Sequence, residues 1–222
     1  MKTNLTELVF ILDRSGSMGG LESDTIGGFN AMLTKQQAEL GECRITTVLF
    51  DGKYEILHDR IDIKAVSPIT DKEYFVRGNT ALLDAVGKTI SKIGNAQKVS
   101  KSEYRADKVL FIITTDGMEN ASREYTYAKV KSQIERQKTK YGWEFIFLGA
   151  NIDAAEVADN FGIDRSHAQN FHNDSEGVEL NYRVVSETVA QFRAAPTGTS
   201  LSDEWNKDIE ADFQRRGGKG RK

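Results

Sequence analysis

Three short stretches of the sequence, LVFIL (8–12), VLFIITT (109–115) and FIFL (145–148), are apolar almost without interruption. A strand with one face in water alternates apolar and polar residues, whereas a strand covered on both faces does not. A chain carrying three such runs is constrained to a sheet with a packed layer on each side. A fourth run, RITTVLF (44–50), is rich in β-branched residues and ends at Asp51-Gly52, a strong turn signal. YEILH (54–58) follows at once, so this pair reads as a hairpin whose second strand is an antiparallel edge.

Between these runs, apolar residues fall at helical spacing. Ile26, Phe29, Leu33 and Gln37 mark one helix, with Gly41 as its stop. ALLDAVGKTISKI (81–93) is a second, closed by Gly94-Asn95. Residues 125–141 form a third, with Tyr127, Val130 and Ile134 inward and a basic outer face. A short helix over 154–160, an edge strand near 168–171 and a last helix over 176–192 follow, ended by Pro196 and Gly198. Strand and helix alternate, and the chain has no internal repeat. The pattern predicts an α/β, doubly wound fold: a mostly parallel central sheet, one antiparallel edge strand and helices on both faces.

Composition narrows the function classes. Of 222 residues, 28% are charged and 39% hydrophobic, as in ordinary globular domains. The 33 acidic and 30 basic residues leave a net charge of −3, too balanced for a bulk nucleic-acid binder. Cys43 is the single cysteine, so an internal disulfide is excluded and a thiol-built zinc site lacks ligands. The first apolar run is far too short to cross a bilayer and follows no basic leader, so the expected location is cytoplasmic, with no membrane partner.

From Ser200 the character of the chain changes. Leu201, Trp205, Ile209 and Phe213 fall four apart and predict one apolar stripe on a short helix, which Ser200 with Asp203 would cap. The end is basic and glycine-rich, with Arg215, Arg216, Lys219, Arg221 and Lys222. The expected organisation is one domain over 1–195, then an amphipathic helix and basic glycine-rich tail over 196–222. Two readings are open for that segment: a helix docked on the domain with a solvated tail, or a contact for a partner or for nucleic acid.

In open parallel sheets, ligands bind beyond the carboxyl ends of the strands, where the strand order switches. Asp13-Arg14-Ser15-Gly16-Ser17 follows the first strand, Asp116-Gly117 follows Thr115 at the end of the fourth, and Gly78-Asn79-Thr80 precedes the helix at 81. These loops offer two carboxylates, Asp13 and Asp116, and three hydroxyls, Ser15, Ser17 and Thr80, with no imidazole or thiol. An all-oxygen, mostly neutral donor set suits a hard cation, and Mg²⁺ in particular takes few carboxylates and keeps waters. Residues 13, 15 and 17 can turn the same way around one ion, with Gly16 letting the backbone fold tightly between them. Taken singly, each piece also has a local reading: Asp13 and Ser15 as caps of the following helix, Asp116-Gly117 as a turn.

Asp13-x-Ser15-x-Ser17 with a separate Thr80 and Asp116 resembles the metal-ion-dependent adhesion site of von Willebrand factor type A (vWA) domains. Gly78-x-Thr80-x-Leu82-x-Asp84-Ala85 and the strand running into Thr115-Asp116-Gly117 extend the likeness over residues 6 to 194. LGANIDA (148–154) is similar to the stand-alone bacterial and bacteriophage members. The resemblance implies a Rossmann-like vWA fold. It implies that Ser15 and Ser17 bind Mg²⁺, with Mn²⁺ or Ca²⁺ as substitutes, through their hydroxyls. Thr80 would bind directly or through water, and Asp13 and Asp116 through bridging waters or directly. The sixth position would be left for water or for an Asp or Glu of a partner protein. Gly78, Gly117 and Asp84 are candidates to support the site, and Asp84 reads equally as a surface carboxylate near a helix N-terminus.

The function this implies is a metal-dependent protein–protein interaction module and not an enzyme, since no nucleophile stands beside a base. Two alternatives use the same residues differently: a metal-dependent phosphoester hydrolase, or a nucleic-acid accessory protein acting through the basic tail, 215–222. Other signals carry less. SGSMGG (15–20) lacks the lysine of a phosphate-binding loop. His58, His167 and His172 have no metal-type spacing, Cys43 and Trp143 read as core, and KVKSQIERQKTK (129–140) reads as a solvated face.

Overall fold

In a computed structural model, which describes residues 4–218, every residue of strand β1 (Thr6–Asp13) is buried. Leu8, Phe10 and Leu12 enter one core with Leu110, Ile112, Ile146 and Leu148. Val9 and Ile11 enter the other with Phe111, Ile113, Phe145 and Phe147. The two-residue period of the strand thus feeds both sides of the sheet, which is why these runs read as continuously apolar.

β1 is central in a six-stranded sheet. It runs parallel to β2 (Cys43–Phe50) on one side and to β4 (Lys108–Thr115) on the other. β5 (Glu144–Gly149) and β6 (Ala168–Asn170) continue in parallel beyond β4, and β3 (Tyr54–Asp62) closes the opposite edge antiparallel to β2. Helices α1 (Glu22–Ala38) and α5 (Ser175–Ala194) cover the first core. Helices α2 (Leu82–Val99), α3 (Tyr127–Tyr141) and α4 (Ala154–Phe161) cover the second. This is the expected doubly wound arrangement with one antiparallel edge. Trp143 stacks on Phe111 with ring centroids 5.4 Å apart, and burial pushes the Cys43 thiol up to about 12. No helix among the described residues is long and apolar enough to cross a membrane.

Three local expectations need correction. Helix α2 does not close at Gly94-Asn95 but runs to Val99, where the Ser100 N–H and hydroxyl both reach the Ala96 carbonyl. Gly94 is not among the left-handed glycines; it lies where α2 meets α3, and a β-carbon there would stand 3.4 Å from Gln137 Nε2. Strand β3 continues past His58 to Asp62 through an irregular register, with Arg60 at φ 52°. Arg60 then ion-pairs with the fully buried Glu7 at 2.8 Å, which holds this extension against the sheet. The predicted stripe is also divided. Leu201 and Trp205 are buried from a turn region, helix α6 (Lys207–Arg215) begins only afterwards, and Ser200 and Asp203 do not cap it. Ile209 continues into the α1/α5 core and Trp205 Nε1 donates to the Ser166 carbonyl at 2.9 Å. Arg215 and Arg216 pair with Asp174, Glu176 and Asp212, while Lys219, Arg221 and Lys222 lie outside the described residues.

The far end of the sheet is held by a buried lysine. Lys108 Nζ donates to the carbonyls of Phe192 (3.0 Å), Arg193 (2.6 Å) and Ala195 (2.7 Å), placing a cation at the C-terminus of α5, where the helix dipole favours it. Lys108→Met removes all three donors and leaves those carbonyls unpaired. It should destabilise the protein by about 2–3 kcal/mol, measured by urea unfolding.

Candidate metal site

β1 and β4 are in-register neighbours, Leu12 beside Thr114, yet the chain leaves them in opposite directions. β1 continues into α1 on one face and β4 into α3 on the other. Loops that diverge in this way leave a crevice above the strand ends. Asp13 ends β1, Thr115 ends β4, and Asp116 comes next.

The side chains there are joined in one chain of hydrogen bonds. Asp13 Oδ1 accepts the Ser15 N–H at 2.7 Å, and Asp13 Oδ2 accepts the Thr115 hydroxyl at 2.6 Å. Ser15 Oγ lies 3.1 Å from Ser17 Oγ, and Ser17 Oγ donates to Asp116 Oδ1 at 2.6 Å. Thr80 reaches the same place from the loop before α2: a β-carbon on Gly117 would stand 3.6 Å from both Thr80 Oγ1 and Ser17 Oγ. The structure therefore gathers Asp13, Ser15, Ser17, Thr80 and Asp116 from three separate loops. A cap or an isolated turn explains none of this convergence.

Backbone bonds fix the loops to one another. Arg77 N–H donates to the Arg14 carbonyl at 2.9 Å and Gly16 N–H to the Gly78 carbonyl at 3.2 Å. Gly78 has φ +69°, a conformation in which a β-carbon is strained. Asp51 clamps the same two loops: its Oδ2 accepts from Arg14 Nε (3.1 Å) and Arg77 Nε (2.7 Å), and its carbonyl accepts the Ala81 N–H. The Tyr74 hydroxyl donates to the Asp13 carbonyl at 2.6 Å. Thr80 N–H donates to Asn120 Oδ1 at 3.0 Å, and Asn120 N–H returns a bond to the Thr80 carbonyl.

Asp84 is neither a free surface carboxylate nor part of this cluster. Its oxygens accept the backbone N–H groups of Arg123, Glu124 and Tyr125 at 2.9–3.0 Å, pinning the far end of the loop between β4 and α3. Burial works against its charge, but the three donors outweigh it and hold the carboxyl below its usual range. The sequence reading missed Thr115, Tyr74, Asn120, Asn151 and Asn173. Asn151 Nδ2 reaches the Asp116 carbonyl at 3.4 Å, and Asn173 Nδ2 donates to Asp116 Oδ2 at 3.1 Å. Thr115 could have been found from its place beside Asp116; the asparagines carry no motif that names them.

Electrostatically the site is built for a cation. Burial pushes both Asp13 and Asp116 above the usual carboxylate range, and the charge of Asp116 raises Asp13 further. A group whose folded pKa is raised loses stability as pH rises through that value, so at neutral pH both carboxylates oppose folding. Among the described residues no three His, Cys, Asp or Glu side chains gather as a metal cluster. The donors are two carboxylates and three hydroxyls, a set that fits a hard divalent ion and leaves part of its charge uncompensated.

No protein-family model and no curated protein matches the sequence. Solved structures match by fold. A von Willebrand factor type A protein from Catenulispora acidiphila aligns with TM-score 0.56 and 13% identity over 83% of this chain and 42% of that one. The chain has the vWA fold. The manganese-loaded TRAP protein of Plasmodium vivax gives TM-score 0.57 at 19% identity, over 81% of this chain and 73% of its own. Proximal thread matrix protein 1 from the mussel byssus, solved with a zinc-occupied adhesion-site motif, gives 0.53 at 14%, over 83% and 46%. The chain spans less than half the length of the Catenulispora and mussel proteins.

Asp116→Asn tests the electrostatics directly, because it keeps the shape and removes one opposing charge. In EDTA the variant should melt within about 1 kcal/mol of wild type. Wild type should gain about 2.7 kcal/mol when free Mg²⁺ or Mn²⁺ is raised to 100 times its dissociation constant, and Asp116→Asn should gain almost nothing.

Proposed function

We propose that this chain is a metal-dependent protein-interaction module that grips an acidic residue of a partner protein through Mg²⁺. One observation carries the reading: five oxygen-bearing side chains from three loops converge at the switch point of a vWA fold, with Ser17 exposed at its mouth. When bound, the ion supplies a coordination position for an incoming carboxylate. Asp13 and Asp116 supply the negative charge that holds it, and the Ser15, Ser17 and Thr80 hydroxyls orient it without neutralising it. An Asp or Glu from a partner is then bound with charge-assisted strength. The rim adds apolar contact. Met118, two residues past Asp116, is 69% exposed. The metal-loaded structural neighbours support occupation by a divalent ion, and the similarity of LGANIDA (148–154) supports a stand-alone bacterial or phage type.

We read the protein as a binder and not an enzyme. Glu119, on the same loop as Asp116, has its oxygens on the backbone N–H groups of Leu83, Ala121 and Ser122 and on the Ser122 hydroxyl, so it is committed to holding the loop. The expected result is retention of Asp- and Glu-presenting peptides on an array in Mg²⁺, lost in EDTA and lost in Asp13→Ala. Retention that survives both treatments overturns the reading. Turnover of a phosphoester that depends on Mg²⁺ and on Asp116 would replace it with the hydrolase.

A further inference from the structure

We propose that Asn173 is a sixth working side chain of the metal site, a positioning residue whose orientation is set by the C-terminal helix α6. The inference rests on the metal-site reading above and concerns how the chain holds Asp116. Asp116 Oδ1 is held by Ser17 and Oδ2 by Asn173 Nδ2. Only the NH₂ end of the amide can face a carboxylate, so the carbonyl end is turned the other way. That oxygen, Asn173 Oδ1, is buried and has no partner among the described protein atoms. A buried carbonyl without a donor is costly, so the bond to Asp116 is what sets which way the amide faces. The amide thus has one end that aims the metal-site carboxylate and one buried end that no described protein donor holds.

Asn173 lies between β6 and α5, and each of its two chain neighbours is fastened to α6. His172 Nε2 lies 3.2 Å from the Phe213 carbonyl, and the two rings are 4.8 Å apart. Asp174 accepts the Gly177 N–H at 2.9 Å as the cap of α5 and also pairs with Arg216. Arg216 is itself held by Asp212 at 3.2 Å. At Gly177 a β-carbon would stand 2.0 Å from the His172 carbonyl, so the loop is packed against its own helix with no room to slide. The end of α6 therefore fixes both sides of the residue that fixes Asp116.

The test uses the full chain with Asn173→Ala and Arg216→Ala, singly and together. Mn²⁺ affinity is read by calorimetric titration, and folding is read by melting in EDTA, so that a lost fold is not taken for lost affinity. Asn173→Ala should weaken Mn²⁺ binding about tenfold, as expected for a residue that orients a ligand. Arg216→Ala should weaken it about two- to fivefold, Arg216→Lys should recover most of that, and the double variant should be no weaker than Asn173→Ala alone. Unchanged affinity in Asn173→Ala overturns the proposal. An Arg216→Ala effect of equal size with and without Asn173 overturns the route from α6. A wild-type chain that takes up no divalent ion overturns the metal site itself, and this inference with it.

Discussion

Two carboxylates buried side by side at the ends of neighbouring strands are the constraint around which the upper half of this molecule is arranged. Burial alone opposes the charge on Asp13 and on Asp116, and their proximity adds to the opposition at Asp13. Four donors answer that problem: Thr115 and the Ser15 N–H on one carboxylate, Ser17 and Asn173 on the other. These bonds lower the cost without removing it. Keeping such a pair in place takes a rigid surround, and the opposition that the surround leaves is what a positive ligand would relieve.

The rigidity comes from charge as much as from backbone. Arg14 lies in the middle of the Asp13–Ser17 loop, fully buried, and its guanidinium turns away from the site to Asp51 and Glu55. Arg77, from the loop that carries Thr80, lands on the same Asp51 oxygen. Two loops far apart in sequence are thus tied to one anion at the β2–β3 turn. Asp51 also makes that turn, its Oδ1 accepting the Lys53 N–H at 2.7 Å. A residue legible in the sequence only as a turn former is, in three dimensions, the clamp between two ligand loops.

What could be read from the sequence follows the same division. The sheet was legible because β1, β4 and β5 are covered on both faces and show it in unbroken apolar runs. The five ligand candidates were legible because short spacing and strand ends are local facts. Asn173 was not, because its role depends on β6 lying two strands away from β4 and on a loop that folds back over the crevice. Helix ends misled for a related reason. Gly94 reads as a stop, but packing of α2 on α3 overrides the weak local preference of a single glycine. The stripe from Leu201 to Phe213 kept its apolar contacts while giving up helical geometry in its first half, since burial of Leu201 and Trp205 needs only that they reach the core.

The separation of the site's parts along the chain has a kinetic consequence. Ser17 and Asp116 are bonded across 99 residues, and Thr115 reaches Asp13 across 102. Contacts of that span carry a large loop-closure cost and close after local helices and hairpins have formed. An interaction completed late changes the rate at which the native state is left far more than the rate at which it is reached. Anything that binds between these strand ends will therefore act as a brake on unfolding, lengthening the life of a fold that has already been made.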